Sequence, residues 1–123
     1  IISDVGSSWF VPNLIGRARA NGMGLLGEDI SAEQAKNWGL IWDFVEDDDL
    51  LSKSLEIAER LANGPIDGLK AIVKAHDNAL STSLNEQLDY ERDAQEVLLD
   101  KKEFKEGVSA FVGKRKPNFR DLS

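Results

Sequence analysis

Apolar residues recur at helical spacing along almost the entire chain, and start and stop signals cut that pattern into short segments. Ser7 to Ile15 predicts one helix ending at Gly16, with Pro12 near its start or kinking it, and Arg17 to Leu26 predicts a second. A third begins at Ser31-x-x-Gln34, a capping-box pattern, and stops before Gly39. The period then changes. Leu40-Ile41-Trp42-Asp43-Phe44-Val45 is apolar, aromatic and β-branched enough to predict one short strand. Asp47 to Ala62 returns to helix, with acids in its first turn and Leu51, Leu55, Ala58 and Ala62 on one face, closing at Asn63-Gly64. Pro65 opens the next helix, whose stripe is Leu69, Ile72, Val73, His76 and Leu80. Ser83-x-x-Glu86 opens another, with Leu84, Leu88, Glu91, Gln95 and Leu98 in step, and the last runs from about Glu103 to Lys114. The fold class is therefore mostly α with one short strand. No repeat, low-complexity tract or flexible linker interrupts it, and the one boundary falls near Val45.

Composition removes several function classes. With 123 residues, of which 41% are hydrophobic, the chain can bury one modest core, and apolar faces without partners are expected. A net charge of -7 argues against nucleic acid as a partner, because phosphate contacts need a broad basic surface. The absence of cysteine rules out disulfides and thiol catalysis, and a single histidine rules out a His-rich metal site. Asp47-Asp48-Asp49 lacks the alternating acids and distant Glu of a calcium loop and reads as a solvated helix start. No metal is expected. No apolar run approaches the length of a membrane span, and a cytoplasmic location is expected.

The densest functional signal is the stretch Glu106-Gly107-Val108-Ser109-Ala110-Phe111-Val112-Gly113-Lys114-Arg115-Lys116-Pro117-Asn118-Phe119, where an amphipathic helix runs into a basic cluster. Phe111 offers a face on which a purine can stack, and Lys114, one turn later, offers charge for a phosphate. Equally, Phe111 can fill core while the basic residues complement the negative end of the helix dipole. Three ordered segments decide between these readings. The tail, the run Ser3-Asp4-Val5-Gly6-Ser7-Ser8-Trp9-Phe10-Val11-Pro12-Asn13-Leu14-Ile15-Gly16-Arg17-Ala18-Arg19-Ala20, and Ile30-Ser31-Ala32-Glu33-Gln34-Ala35-Lys36-Asn37-Trp38-Gly39-Leu40-Ile41-Trp42 together resemble the crotonase family of enoyl-CoA hydratases and isomerases. Within it, Gly-Arg-Ala-Arg-Ala, Gly-Leu-Ile-Trp and Gly-Val-Ser-Ala-Phe are most similar to the 1,2-epoxyphenylacetyl-CoA isomerases of phenylacetate catabolism.

That resemblance implies the C-terminal portion of the crotonase α/β spiral: residues 1–45 close the core spiral, and residues 46–123 form a helical region for oligomerisation and active-site cover. A crotonase protomer is roughly twice this long, in the upper range of single-domain sizes, so the chain is expected to be a C-terminal half whose oxyanion hole lies upstream. It implies Asp4 as the catalytic carboxylate. Taken locally, Asp4 just before a helical Ser-Ser-Trp-Phe run is an ordinary N-cap; by resemblance it is a general base that takes a proton from carbon activated by a thioester and returns it elsewhere on the dienolate. Phe111 and Lys114 are implied substrate-binding residues at the adenosine end of coenzyme A, which enters only as part of the acyl-CoA substrate, with no separate cofactor. Trp9 lines an acyl pocket or packs in the core. His76 is assigned to packing or an interface, Arg17 and Arg19 to surface or interface charge, and Gly22 and Gly24 to close packing or space for substrate. A homo-oligomer, trimer or hexamer, is expected. Hydration or dehalogenation on the same fold, or a helical assembly fragment without catalysis, are the alternatives to isomerisation.

Overall fold

A computed structural model describes residues 2–122. Seven α-helices follow one another among the described residues: α1 (Ser7–Ile15), α2 (Arg17–Leu26), α3 (Ala32–Trp38), α4 (Leu50–Ala62), α5 (Ile66–Ala79), α6 (Leu84–Leu99) and α7 (Lys102–Val112). A single 3-10 turn, Asp47–Asp49, leads into α4, so the acidic run precedes that helix instead of forming its first turn. The chain falls into two compact units, Ile1–Lys53 and Ser54–Ser123.

In the first unit α1 packs on α2, and Pro12 is accommodated inside α1 although it cannot donate to the carbonyl four residues back. α3 begins as its sequence predicts: Ser31 Oγ accepts the Gln34 backbone N–H at 3.1 Å. It ends at Gly39, whose φ of 80° sets up a paired closure. Gly39 N–H donates to the Lys36 carbonyl at 2.9 Å and Leu40 N–H donates to the Ala35 carbonyl at 2.9 Å. Arg19 lies 5.6 Å from the Trp38 ring centroid and donates to the Trp38 carbonyl at 3.4 Å, joining α2 to the end of α3.

The predicted strand at Leu40–Val45 is not formed, and no described residue is in a strand. A strand exists only through a ladder with a neighbour, and here the segment's donors are spent locally. Leu40 N–H closes α3, and Phe44 N–H donates to its neighbour Asp43 Oδ1 at 2.9 Å. Lys36 Nζ holds the same carboxylate at 2.6 Å and sits 5.6 Å from the Phe44 ring centroid. Apolar and aromatic content predicted a strand, whereas Leu40–Trp42 bend and the segment finds no ladder partner.

In the second unit α5 packs on α6, and α6 on α7. α6 carries a complete reciprocal cap: Glu86 N–H reaches Ser83 Oγ at 3.4 Å, while Ser83 N–H donates to the Glu86 carboxylate at 2.8 Å. The α5–α6 contact draws little on the apolar stripes. Its half-buried positions are mostly small or polar, Ala71, Ala75 and Asn78 from α5 with Gln87, Tyr90 and Ala94 from α6, joined by Leu98 from the α6 stripe. A polar knot pins it, since Gln87 Nε2 donates to the Ala75 carbonyl at 3.1 Å and Gln87 Oε1 accepts from Asn78 Nδ2 at 3.0 Å.

The stripes themselves point to solvent. Ile72 and Val73 of α5, Leu80 at its C-cap, Leu84 and Leu88 of α6, and Leu51 and Leu55 of α4 are exposed, and among the described residues the enclosed core is only Ile15, Ala35 and Ala110. These faces are left without a cover inside the chain. No described helix is long and apolar enough to cross a membrane.

Candidate functional site

The end of α7 is built by an unusual closure. Lys114 N–H donates to the Phe111 carbonyl at 3.2 Å and Arg115 N–H to the Ala110 carbonyl at 3.0 Å. This is the arrangement that usually places glycine in the left-handed position. Here Lys114 occupies it, with φ 48°, while Gly113 keeps φ -77°. The sequence predicts the helix to reach Lys114; instead it ends at Val112 and Lys114 makes the turn.

Beyond that turn the tail folds back onto α7. Glu106 accepts Arg115 Nη1 at 2.6 Å, Arg115 Nη2 at 2.8 Å and the Asn118 backbone N–H at 2.7 Å. Arg115 Nη2 also donates to Ser109 Oγ at 3.1 Å. The guanidinium, and after it the Asn118 N–H, hold the Glu106 carboxyl down to about 2. The fold-back brings Phe119 to a cavity of about 440 Å³ that Phe111 also lines, together with Pro65, Leu98, Leu99, Phe104 and Val108. Lys101 and Asp67 lie at its edge, paired at 3.0 Å, and each strengthens the charged form of the other. The Phe111 side chain is 86% exposed, so it is no core residue here. Lys114 is exposed and does not line the cavity.

In the first unit, Asp4 opens a tight turn in which its carbonyl accepts both the Ser7 N–H at 3.0 Å and Ser7 Oγ at 2.7 Å. Val5 and Gly6 both have left-handed φ, 53° and 79°, as a turn of the type I′ class requires. Val5 is strained there, being β-branched. The cap of α1 is Gly6, without a side-chain cap bond, so the Asp4 carboxylate does not serve as the N-cap that its local sequence suggests. That carboxylate is exposed. Trp9, one turn into α1, is 46% exposed and packs edge-to-face on Phe10 with centroids 4.9 Å apart.

The structure thus brings Phe111 to a cavity and places Lys114 directly after it at the helix end, and it sets Asp4 and Trp9 at the start of α1. Among the described residues no cluster could hold a metal ion. A Cβ at Gly22 or Gly24 would meet nothing within 4 Å, so close packing does not explain these glycines within the chain. His76 is exposed on α5. Sequence reasoning assigned no role to Glu106 or Phe119 and read Arg115 only as one of the basic residues after Phe111, whereas it is held by Glu106; a contact nine residues apart across a helix end follows no periodicity. The signal available was a basic residue just past a helix end together with an acid nearly two turns before that end.

Comparison with known proteins places the chain in one family. The sequence signature of the enoyl-CoA hydratase/isomerase family matches residues 1–122. The 1,2-epoxyphenylacetyl-CoA isomerase of Escherichia coli is 44% identical over 119 residues, a stretch covering 97% of this chain and 45% of that protein. The 2,3-dehydroadipyl-CoA hydratase of the same organism is 31% identical, over 98% of this chain and 47% of its own length. A crystal structure of enoyl-CoA hydratase from Bacillus anthracis superposes with a TM-score of 0.88 at 36% identity, covering 98% of this chain and 46% of that one. The chain spans just under half the length of these relatives, and it belongs to the enoyl-CoA hydratase/isomerase family.

Proposed function

We propose that this chain supplies the C-terminal portion of an acyl-CoA isomerase that moves a proton through a thioester dienolate. The observation carrying this reading is Asp4: an exposed carboxylate freed from capping, in a chain 44% identical to an epoxyphenylacetyl-CoA isomerase. Asp4 acts as general base on the carbon activated by the thioester and then as the acid that returns the proton at a second carbon. Removal of that proton puts negative charge on the thioester oxygen, which preorganised backbone donors must hold. In this reading those donors lie outside the 123 residues, as does the remainder of the acyl pocket. Trp9 borders the acyl group and favours a ring-derived one.

At the other end of the substrate, Phe111 stacks on the adenine and Lys114 contacts a phosphate of coenzyme A. No further cofactor takes part. The exposed stripes of α4, α5 and α6 support a homo-oligomer, a trimer or a pair of trimers, since mutual burial is the ordinary way to cover such faces. The cytoplasm is the proposed location.

A second reading, hydration on the same scaffold, is favoured by the hydratases among the relatives. Mass spectrometry of the product separates the two. Incubating the complete protein with an unsaturated or epoxide-derived acyl-CoA should give a product of unchanged mass with its double bond or ring moved. A product heavier by one water would replace isomerisation with hydration, and no conversion of either kind would remove the proposal.

A further inference from the structure

We propose that Glu106 is a positioning residue that fixes the coenzyme A contacts of the tail, an inference that rests on the function proposed above. Phe111 and Lys114 are the contact residues, and nothing about them alone explains why the chain after α7 should keep one conformation. Lys114 stands in the left-handed region, which L side chains disfavour. The two helix-closing backbone bonds would serve a glycine equally well.

What distinguishes this turn is the carboxylate beside it. Glu106 precedes Lys114 on α7, and its three donors come from after it: both Arg115 Nη atoms and the Asn118 N–H. Lys114 therefore lies inside a loop closed by a two-pronged, charge-assisted clasp, the geometry that arginine makes and lysine cannot. Asn118 is the neighbour of Phe119, which lines the cavity shared with Phe111. One carboxylate thus fixes the backbone that carries the Lys114 ammonium and the segment that brings Phe119 to the cavity Phe111 lines. The Glu106 side chain is only 13% accessible while Arg115 is 47% accessible, so the acid is the seated half of the clasp. Its charge is met within the chain by Arg115 and the Asn118 N–H, and not by the Lys114 ammonium.

The test is calorimetry on the complete protein with coenzyme A and, separately, with pantetheine, which lacks the adenosine and its phosphates. Glu106→Gln should weaken coenzyme A binding about tenfold, as loss of a charge-assisted contact does, and leave pantetheine binding and kcat within about twofold. Arg115→Lys, which keeps the cation and loses the fork, should show the same pattern at smaller size and stands in if Glu106→Gln does not fold. Unchanged coenzyme A affinity in these variants would overturn the positioning role, as would an equal loss for both ligands, which marks general damage. Lys114→Ala measured alongside separates the two levels. If it leaves coenzyme A binding intact, the contact assigned to Lys114 fails; if it weakens binding while the clasp variants do not, only the role of Glu106 fails.

Discussion

Replacing Lys114 by glycine should move stability and ligand affinity in opposite directions. Lys114 holds φ 48° at the closure of α7, a position where glycine is at ease and a side chain costs about 1–2 kcal/mol. Removing the side chain down to Cα relieves that strain but also loosens the unfolded chain, so the net gain is about 1 kcal/mol, a rise of a few degrees in Tm. The same change deletes the ammonium proposed to meet a coenzyme A phosphate, a charge-assisted bond of about 1.5–3 kcal/mol, so binding should fall roughly ten- to a hundredfold. Lys114→Ala is the control that splits the two effects: it keeps Cβ and hence the strain, loses the charge, and should match the glycine variant in affinity but not in stability. Thermal unfolding and calorimetry with coenzyme A read both quantities on the same samples. A glycine variant no more stable than the alanine one would refute the strain argument, and undiminished affinity in both would refute the phosphate contact.

Three further outcomes follow from the same geometry. The Glu106 carboxyl is held at about 2 against an ordinary 4.5 by Arg115 and the Asn118 N–H, so its contribution to stability is fully present above pH 4.5 and disappears as the pH falls toward 2; in urea titrations the gap between the parent protein and Glu106→Gln should be flat above about pH 5 and close on acidification, and a gap that widened would reverse the sign. Gln87→Leu should destabilise the fold by about 1 kcal/mol in urea, because it removes the Gln87–Ala75 cross-helix bond and the partner of the Asn78 amide in the α5–α6 contact, and no change there would show the knot to be idle. Light scattering at micromolar concentration should find three protomers or a multiple of three, given the open faces at Leu51, Leu55, Ile72 and Val73; a clean monomer of the complete protein would contradict this.

The helices were legible because each carries its own punctuation. Ser31 and Ser83 cap where their spacing to Gln34 and Glu86 says they should, and Gly39 stops α3 with the predicted closure. The strand was not legible, because Leu40–Val45 has the composition of a strand while strand identity belongs to a neighbour that the sequence pattern does not specify. Open apolar faces were expected, but which helix surfaces would meet was not legible. Periodicity finds a face but not what covers it, and α5 meets α6 through Ala71, Ala75 and Gln87 while Ile72 and Leu88 stay open. At the candidate site, Phe111 and Lys114 stood out by residue type, whereas Glu106 and Phe119 join them only through a fold-back past the helix end. Asp4 shows the limit from the other side: its local sequence reads as a cap, and Gly6 takes that place.

Asp4 is also where the account is most exposed. Asp4→Asn keeps the size and polarity of the side chain and, because the turn at Ser7 uses the Asp4 backbone carbonyl, leaves that turn intact. What it removes is the base. The decisive measurement is acyl-CoA isomerisation by the complete protein and its Asp4→Asn variant, with coenzyme A affinity taken on both. The account predicts that turnover is abolished while affinity stays within a few-fold of the parent; near-normal isomerase activity in the asparagine variant would contradict it.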